Sequence, residues 1–288
     1  VTGEKPPIQP AALPPEARHS GGTAMTQFHV IAGASERPAH PVIRKIGTAD
    51  LMAALKGGWD DFAAIPTHVI FVCLIYPIIG LVLGRLAIGH AVLPLLFPLI
   101  AGFALVGPLA AVGLYELSRR REAGLDSSWW HVFDVLKSPS IGAIAGLGIL
   151  LMIIFLSWLY TAQAIYQSLF GLNAPDSISQ FLHEVMTTPQ GWWLIVLGNG
   201  AGFLFALVTL VISAISFPLL LDRDVGAWVA VETSVRAVLK NPFAMALWGL
   251  IVAALLVIGS LPFFLGLAVV MPVLGHATWH LYRRVVES

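Results

Sequence analysis

Between residues 68 and 282 the chain is a series of long apolar runs separated by short polar segments. A helix that crosses the roughly 30 Å hydrocarbon core of a bilayer needs about 20 mostly apolar residues. Six segments meet that requirement: 68–86, 91–117, 141–166, 192–221, 243–259 and 262–282. The last two come from one uncharged stretch, Asn241 to Tyr282, divided by the turn-forming "GSLP" at 259–262. The pattern predicts an all-α membrane protein of six transmembrane helices over residues 42–288. The 171–191 connection carries one further element. Asp176 or Ser177 can cap a short helix there, and Ile178, Phe181, Leu182, Val185 and Met186 give it an apolar stripe. Such a helix is expected to lie flat on the outer surface.

The polar segments repeat. "VFDVLKSPSIGAIAG" (132–146) aligns with "VRAVLKNPFAMALWG" (235–249), and "WDDFAAIPTHVIFVC" (59–73) aligns more loosely. Pro66, Pro139 and Pro242 fall in register, each ending an amphipathic segment before a span, because the residue before proline is pushed out of the α region. Pro108, Pro218 and Pro272 fall in register in the second span of each unit. The expected architecture is three parallel repeats, each a cytoplasmic amphipathic helix followed by two spans, about an axis along the membrane normal.

Composition and charge set this in a membrane. The 288 residues are 57% hydrophobic and 11% charged, against about 25% charged in soluble domains, and mean hydropathy is +0.83. The lipid bilayer is the expected surrounding. The zero formal net charge argues against nucleic acid as a partner. Cys73, the one cysteine, lies in an apolar run and reads as a small buried hydrophobe. Residues 1–41 are rich in Pro, Ala, Gly and Ser and read as a disordered tail, with Met25 as the expected translation start.

The cations fix an orientation. Arg119, Arg120, Arg121 and Lys137 lie between spans two and three, and Arg223, Arg236 and Lys240 between four and five. Arg283 and Arg284 follow span six; Arg37, Arg44, Lys45 and Lys56 precede span one. The other side has Arg85 alone, and 171–191 has no Lys or Arg. The positive-inside rule then puts both termini in the cytoplasm. Trp129 and Trp130 fall at a predicted cytoplasmic interface, Trp192 and Trp193 at the outer one and Trp279 and Tyr282 at the inner one, and they read as an interfacial aromatic belt.

Candidate chemistry is sparse. His276 and His280, at i and i+4 in "GHATWH", share a helix face and could ligate a metal or haem. A zinc site would want a third ligand, His131 or Glu116, and the segment lacks the Glu of HExxH. The preferred reading is interfacial, with His280 toward headgroups and His276 in one interhelical hydrogen bond. Glu116, Asp134, Asp222, Arg223, Asp224, Glu232 and Arg236, together with Asp60 and Asp61, form a polar cytoplasmic rim. Asp224 can cap the helix that follows it, and Glu232 and Arg236 are an i,i+4 pair. The structural reading of the rim is ion pairing; the functional one is a vestibule gating a path between the repeats. No Asp, Glu, Lys or Arg lies deep in a span, which argues against an ion-driven pump. "GNGAG" (198–202) sits inside a span and suits close helix packing rather than a nucleotide.

"FPLLLDRDVGAWVAVETSVRAVLKNP" and "GLAVVMPVLGHATWHLYRR" together resemble a bacterial family of predicted integral membrane proteins, domain of unknown function 2189, over roughly Ile43 to Arg284. The matching motifs are Pro218 to Arg223, Lys240 to Pro242 and Gly275 to Arg283. The resemblance implies a membrane protein and brings no activity or cofactor. Some members carry a cytochrome-oxidase-like label, but an oxidase core needs more spans and several deep histidines. Three functions follow in order: a non-enzymatic accessory or scaffold subunit of a membrane complex, respiratory or other; a passive transporter or channel along the pseudo-threefold axis; and a haem or metal protein through His276 and His280.

Overall fold

The computed structural model describes residues 41–65, 78, 93–172, 175, 177–262 and 264–287. The expected tail, the predicted first span with Cys73 and Arg85, and Pro66 and Asp176 lie outside the described residues. Those described are helical, with one isolated antiparallel bridge between Ile43 and Val286. In chain order the elements are α1 (Thr48–Ala64), α2 (Leu93–Ala110), α3 (Val112–Glu122), the 3-10 helix η1 (Trp129–Lys137), α4 (Ile141–Phe170), α5 (Ile178–Thr187), α6 (Pro189–Ser213), α7 (Ser216–Asp222), α8 (Gly226–Lys240), α9 (Pro242–Ser260) and α10 (Leu267–Val285).

Four helical stretches are long and apolar enough to cross a membrane: Leu93–Glu122, Ile141–Phe170, Pro189–Asp222 and Pro242–Ser260. They coincide with predicted spans two to five. The first joins α2 and α3 across a break at Ala111, and the third joins α6 and α7 across Ala214 and Ile215. Pro218 has no N–H to give the Ala214 carbonyl, which accounts for the second break. These helices turn Ile153, Leu156, Phe203, Leu204 and Leu250 outward. Apolar faces of that extent are unstable in water and suited to lipid.

α10, over the predicted sixth span, is a different object. It starts after a tight turn in which Phe264 takes a positive φ of 64°. Its hydropathy falls below that of the other four because His276, Thr278, His280 and the terminal arginines interrupt the apolar pattern. Its second half is enclosed by protein: Leu274, Gly275, His276, Ala277, Trp279, Leu281, Tyr282 and Val285 are all buried.

α1, α3, η1, α7, α8 and this end of α10 gather into a compact base. Its core holds Leu51, Tyr115, Ile215, Phe217, Leu219, Leu220, Trp279 and Tyr282. Trp279 and Tyr282 therefore depart from the belt reading. Each is about 1% exposed, and their polar atoms are spent inside: Trp279 Nε1 donates to Glu122 at 2.9 Å and Tyr282 Oη to Asp222 at 2.5 Å. A ring with one polar atom suits a buried site beside a carboxylate as well as it suits a headgroup layer. Trp130, Trp192 and Trp193 are exposed as the belt reading requires.

Each base segment stops before its proline. α1 ends at Ala64 with Ile65 extended, and η1 at Lys137 with Ser138 extended. α8 ends at Lys240, and Pro242 then occupies the first position of α9, where its missing N–H costs nothing. The segment over 132–137, expected as an α-helix, is the 3-10 helix. Residues 42–46 are strapped across the base: Arg44 N donates to Val285 O at 2.7 Å and Glu287 N to Val42 O at 2.9 Å. On the other side of the bundle Ser177, not Asp176, supplies the cap of α5, accepting from Gln180 N at 3.1 Å.

Candidate functional site

On α1 the buried stripe is Leu51, Ala54, Gly58 and Asp61, spaced at i, i+3, i+7 and i+10. The last member is a carboxylate, 3% exposed. α1 lies so close to α10 that a Cβ on Gly58 would stand 2.6 Å from the Ala277 Cβ and backbone nitrogen, and one on Gly57 2.8 Å from the His280 ring. This approach delivers Asp61 to the polar face of α10 and to the end of α3.

There Asp61 collects three donors. Ser118 Oγ donates to Oδ2 at 2.6 Å, His280 Nε2 approaches the same oxygen at 2.8 Å, and the Arg121 guanidinium pairs with Oδ1. Burial pushes this carboxyl up, but the hydrogen bonds from His280, Ser118 and Arg121 outweigh it and bring it down to about 2. Asp61 is thus a buried anion at neutral pH.

Ser118 has one proton, and it goes to Asp61. Its oxygen must then accept from His276 Nδ1, 2.8 Å away. The donor order places a proton on His276 Nδ1 and leaves Nε2 outside this chain of hydrogen bonds. That nitrogen is buried and has no hydrogen-bond partner among the described residues. Histidine, serine, aspartate and histidine therefore form one chain, running from the fully buried His276 to the partly exposed His280.

The ligand-pair reading meets this geometry directly. His276 and His280 turn their bonded nitrogens to different partners, Ser118 and Asp61. Glu116 does not face them; it holds Arg119 through two bonds of 2.7 and 2.8 Å. His131 is engaged with Asp134 at 2.5 Å and Asp126 at 3.0 Å. Among the described residues no group of three or more His, Cys, Asp or Glu is arranged to hold a metal. The headgroup reading of His280 is met differently too, since its Nε2 turns inward to Asp61.

The rim residues fall into separate clusters. Glu116 and Asp134 line one cleft with Arg119, Arg120, Lys137, Ser138, Pro139 and Leu221. Asp222 takes the Tyr282 hydroxyl and lies 3.6 Å from Arg283, while Arg223 donates to Glu287 O at 2.5 Å. Asp224 does not cap α8; it accepts from Ser140 Oγ at 3.2 Å, because Val225 occupies the cap position. Asp60 is exposed. Glu232 and Arg236 pair at 4.0 Å along α8.

The "KNP" motif is an anchor. Lys240 Nζ donates to Ile43 O at 2.6 Å. The Asn241 amide accepts from Ile46 N at 2.9 Å and donates to Arg44 O at 3.0 Å. Sequence reasoning grouped Asp61 with the rim and passed over Ser118. The available signal was the α1 stripe, which puts an acid in line with Leu51, Ala54 and Gly58.

The family described as "Predicted integral membrane protein (DUF2189)" matches residues 96–222, the stretch from α2 to the end of α7. No curated protein and no solved structure matches the chain.

Proposed function

For a chain whose residues 96–222 place it among the predicted integral membrane proteins of the DUF2189 family, we propose a non-catalytic accessory or scaffold role in a membrane complex of a bacterial inner membrane. One observation carries this reading. The polar side chains of the motifs join the base to itself: Asp222 to Tyr282, Arg223 to Glu287, Lys240 and Asn241 to residues 43–46, His276 through Nδ1 to Ser118, Trp279 to Glu122 and His280 to Asp61. Motif residues spent on architecture make a rigid platform, and a rigid platform is what a scaffold offers its partners.

The six-span arrangement in three parallel units belongs to the same proposal. It is supported by the three base segments that stop before in-register prolines. Cytoplasmic termini are supported by the gathering of Arg119, Arg121, Arg223, Arg283 and Arg284 on the base, against 171–191 without a cation.

The test is a pull-down of the tagged full chain from native membranes in mild detergent, with pigment and metal content recorded. The scaffold reading expects a partner at fixed stoichiometry in a colourless eluate. Absence of any stoichiometric partner would overturn it. So would a haem band or stoichiometric metal that disappears in His276→Ala and His280→Ala, and that result would install the third reading instead.

A further inference from the structure

η1 exposes an apolar edge that the base does not use. In a 3-10 helix side chains three apart eclipse one another. Trp130, Phe133 and Leu136 are so spaced, and they are 63%, 57% and 68% exposed. The helix ends at Lys137, and three residues separate it from the membrane-length helix α4, so this edge stands where a bilayer surface begins. Beside it opens the cleft lined by Arg119, Arg120 and Lys137 together with Glu116, Asp134, Pro139 and Leu221. The Glu116 side chain is 2% exposed, covered by its pairs with Arg119 and Arg120. Asp134 is held by His131, Arg120 and Lys137. The most exposed charged groups of the cleft are cationic: Arg119 is 40% and Lys137 81% exposed, each also paired with one of these carboxylates.

We propose that this cleft and the η1 edge bind an anionic phospholipid, with its phosphate against Lys137 and Arg119 and its acyl chains along Trp130, Phe133 and Leu136. Charge complementarity selects the occupant. A purely apolar partner would leave unanswered the excess positive charge of the cleft, where Arg119, Arg120 and Lys137 face only Glu116 and Asp134, and a soluble anion would leave the three apolar side chains uncovered. Juxtamembrane cations attract anionic lipid additively, and amphipathic tryptophan settles at the headgroup boundary.

The experiment is thermal unfolding of the full chain in mild detergent, titrated separately with phosphatidylglycerol, phosphatidylcholine and inorganic phosphate. Phosphatidylglycerol should raise Tm in a saturable way, and the other two should not. Lys137→Gln should weaken the apparent affinity for phosphatidylglycerol about fivefold, and Trp130→Ser should reduce the response further. Both positions are exposed, so the lipid-free Tm serves as the folding control. Equal stabilisation by phosphatidylcholine would overturn the charge selection. Stabilisation by inorganic phosphate alone would reduce the site to a phosphate site and overturn the lipid. Retention of full phosphatidylglycerol affinity in Lys137→Gln would remove the cleft from the account.

Discussion

Asp61 decides how the base holds together at the residue scale. A buried carboxylate with three donors is stable only while all three remain, because removing its charge strands a guanidinium and an imidazole beside a group that no longer answers them. Asp61→Asn should cost about 3 kcal/mol, read from unfolding in detergent, while Asp60→Asn, one position away and exposed, should be neutral; equal effects would dismiss the network. His131 makes a second prediction. Its hydrogen bonds to Asp134 and Asp126 raise its pKa, so the folded state gains stability that is fully present below about 6.5 and lost as pH rises through the raised value. Asp134 is brought down to about 2 by Lys137 and His131, so its contribution is present above about 4 and lost as pH falls through 2. The turn between α3 and η1 should be firmest between about pH 4 and 6.5. Hydrogen exchange at residues 125–137 across pH 5 to 9 should show opening toward the alkaline end, and His131→Gln should flatten the profile.

Helix contacts set the argument at the scale of the element. The α1–α10 crossing is narrow enough for Ala277 and the Val273 carbonyl to stand 2.6 Å from a Cβ built on Gly58. Both obstacles belong to or adjoin backbone, so the helices must part. Gly58→Ala should lose about 1–3 kcal/mol. A Cβ on Gly146 in α4 meets nothing within 4 Å, and Gly146→Ala should hold or gain up to about 1 kcal/mol from helix propensity. A common response of the two variants would deny the close crossing. This is also where sequence legibility divides. Spans two to five were readable because long apolar runs have few alternatives. Trp279 was not, because an aromatic beside arginines reads the same at a lipid interface and in a core, and its partner Glu122 is 157 positions away. Lys137 and Lys240 stand in the same place of their two aligned "VLK" segments, yet one pairs with Asp134 and the other reaches Ile43 O. The pattern is local and the partners are not.

In its described residues the chain sets helices long and apolar enough to cross a membrane on a compact base. Its orientation can be read by labelling single cysteines in a Cys73→Ser background. Ser179→Cys, exposed on α5, should react with an impermeant thiol reagent in intact cells, and Lys45→Cys, exposed on the base, only after permeabilisation; the reverse pattern would invert the proposed topology. The strap of residues 42–46 against 285–287 has a temporal meaning. A chain made from its N-terminus and threaded into the membrane helix by helix presents residues 42–46 well before residues 285–287. Lys240 and Asn241 hold the early strand from one side, and Val285 and Glu287 close the other. The base is therefore a latch that shuts only once residues 285–287 have been made, after the membrane-length helices that precede them in the chain.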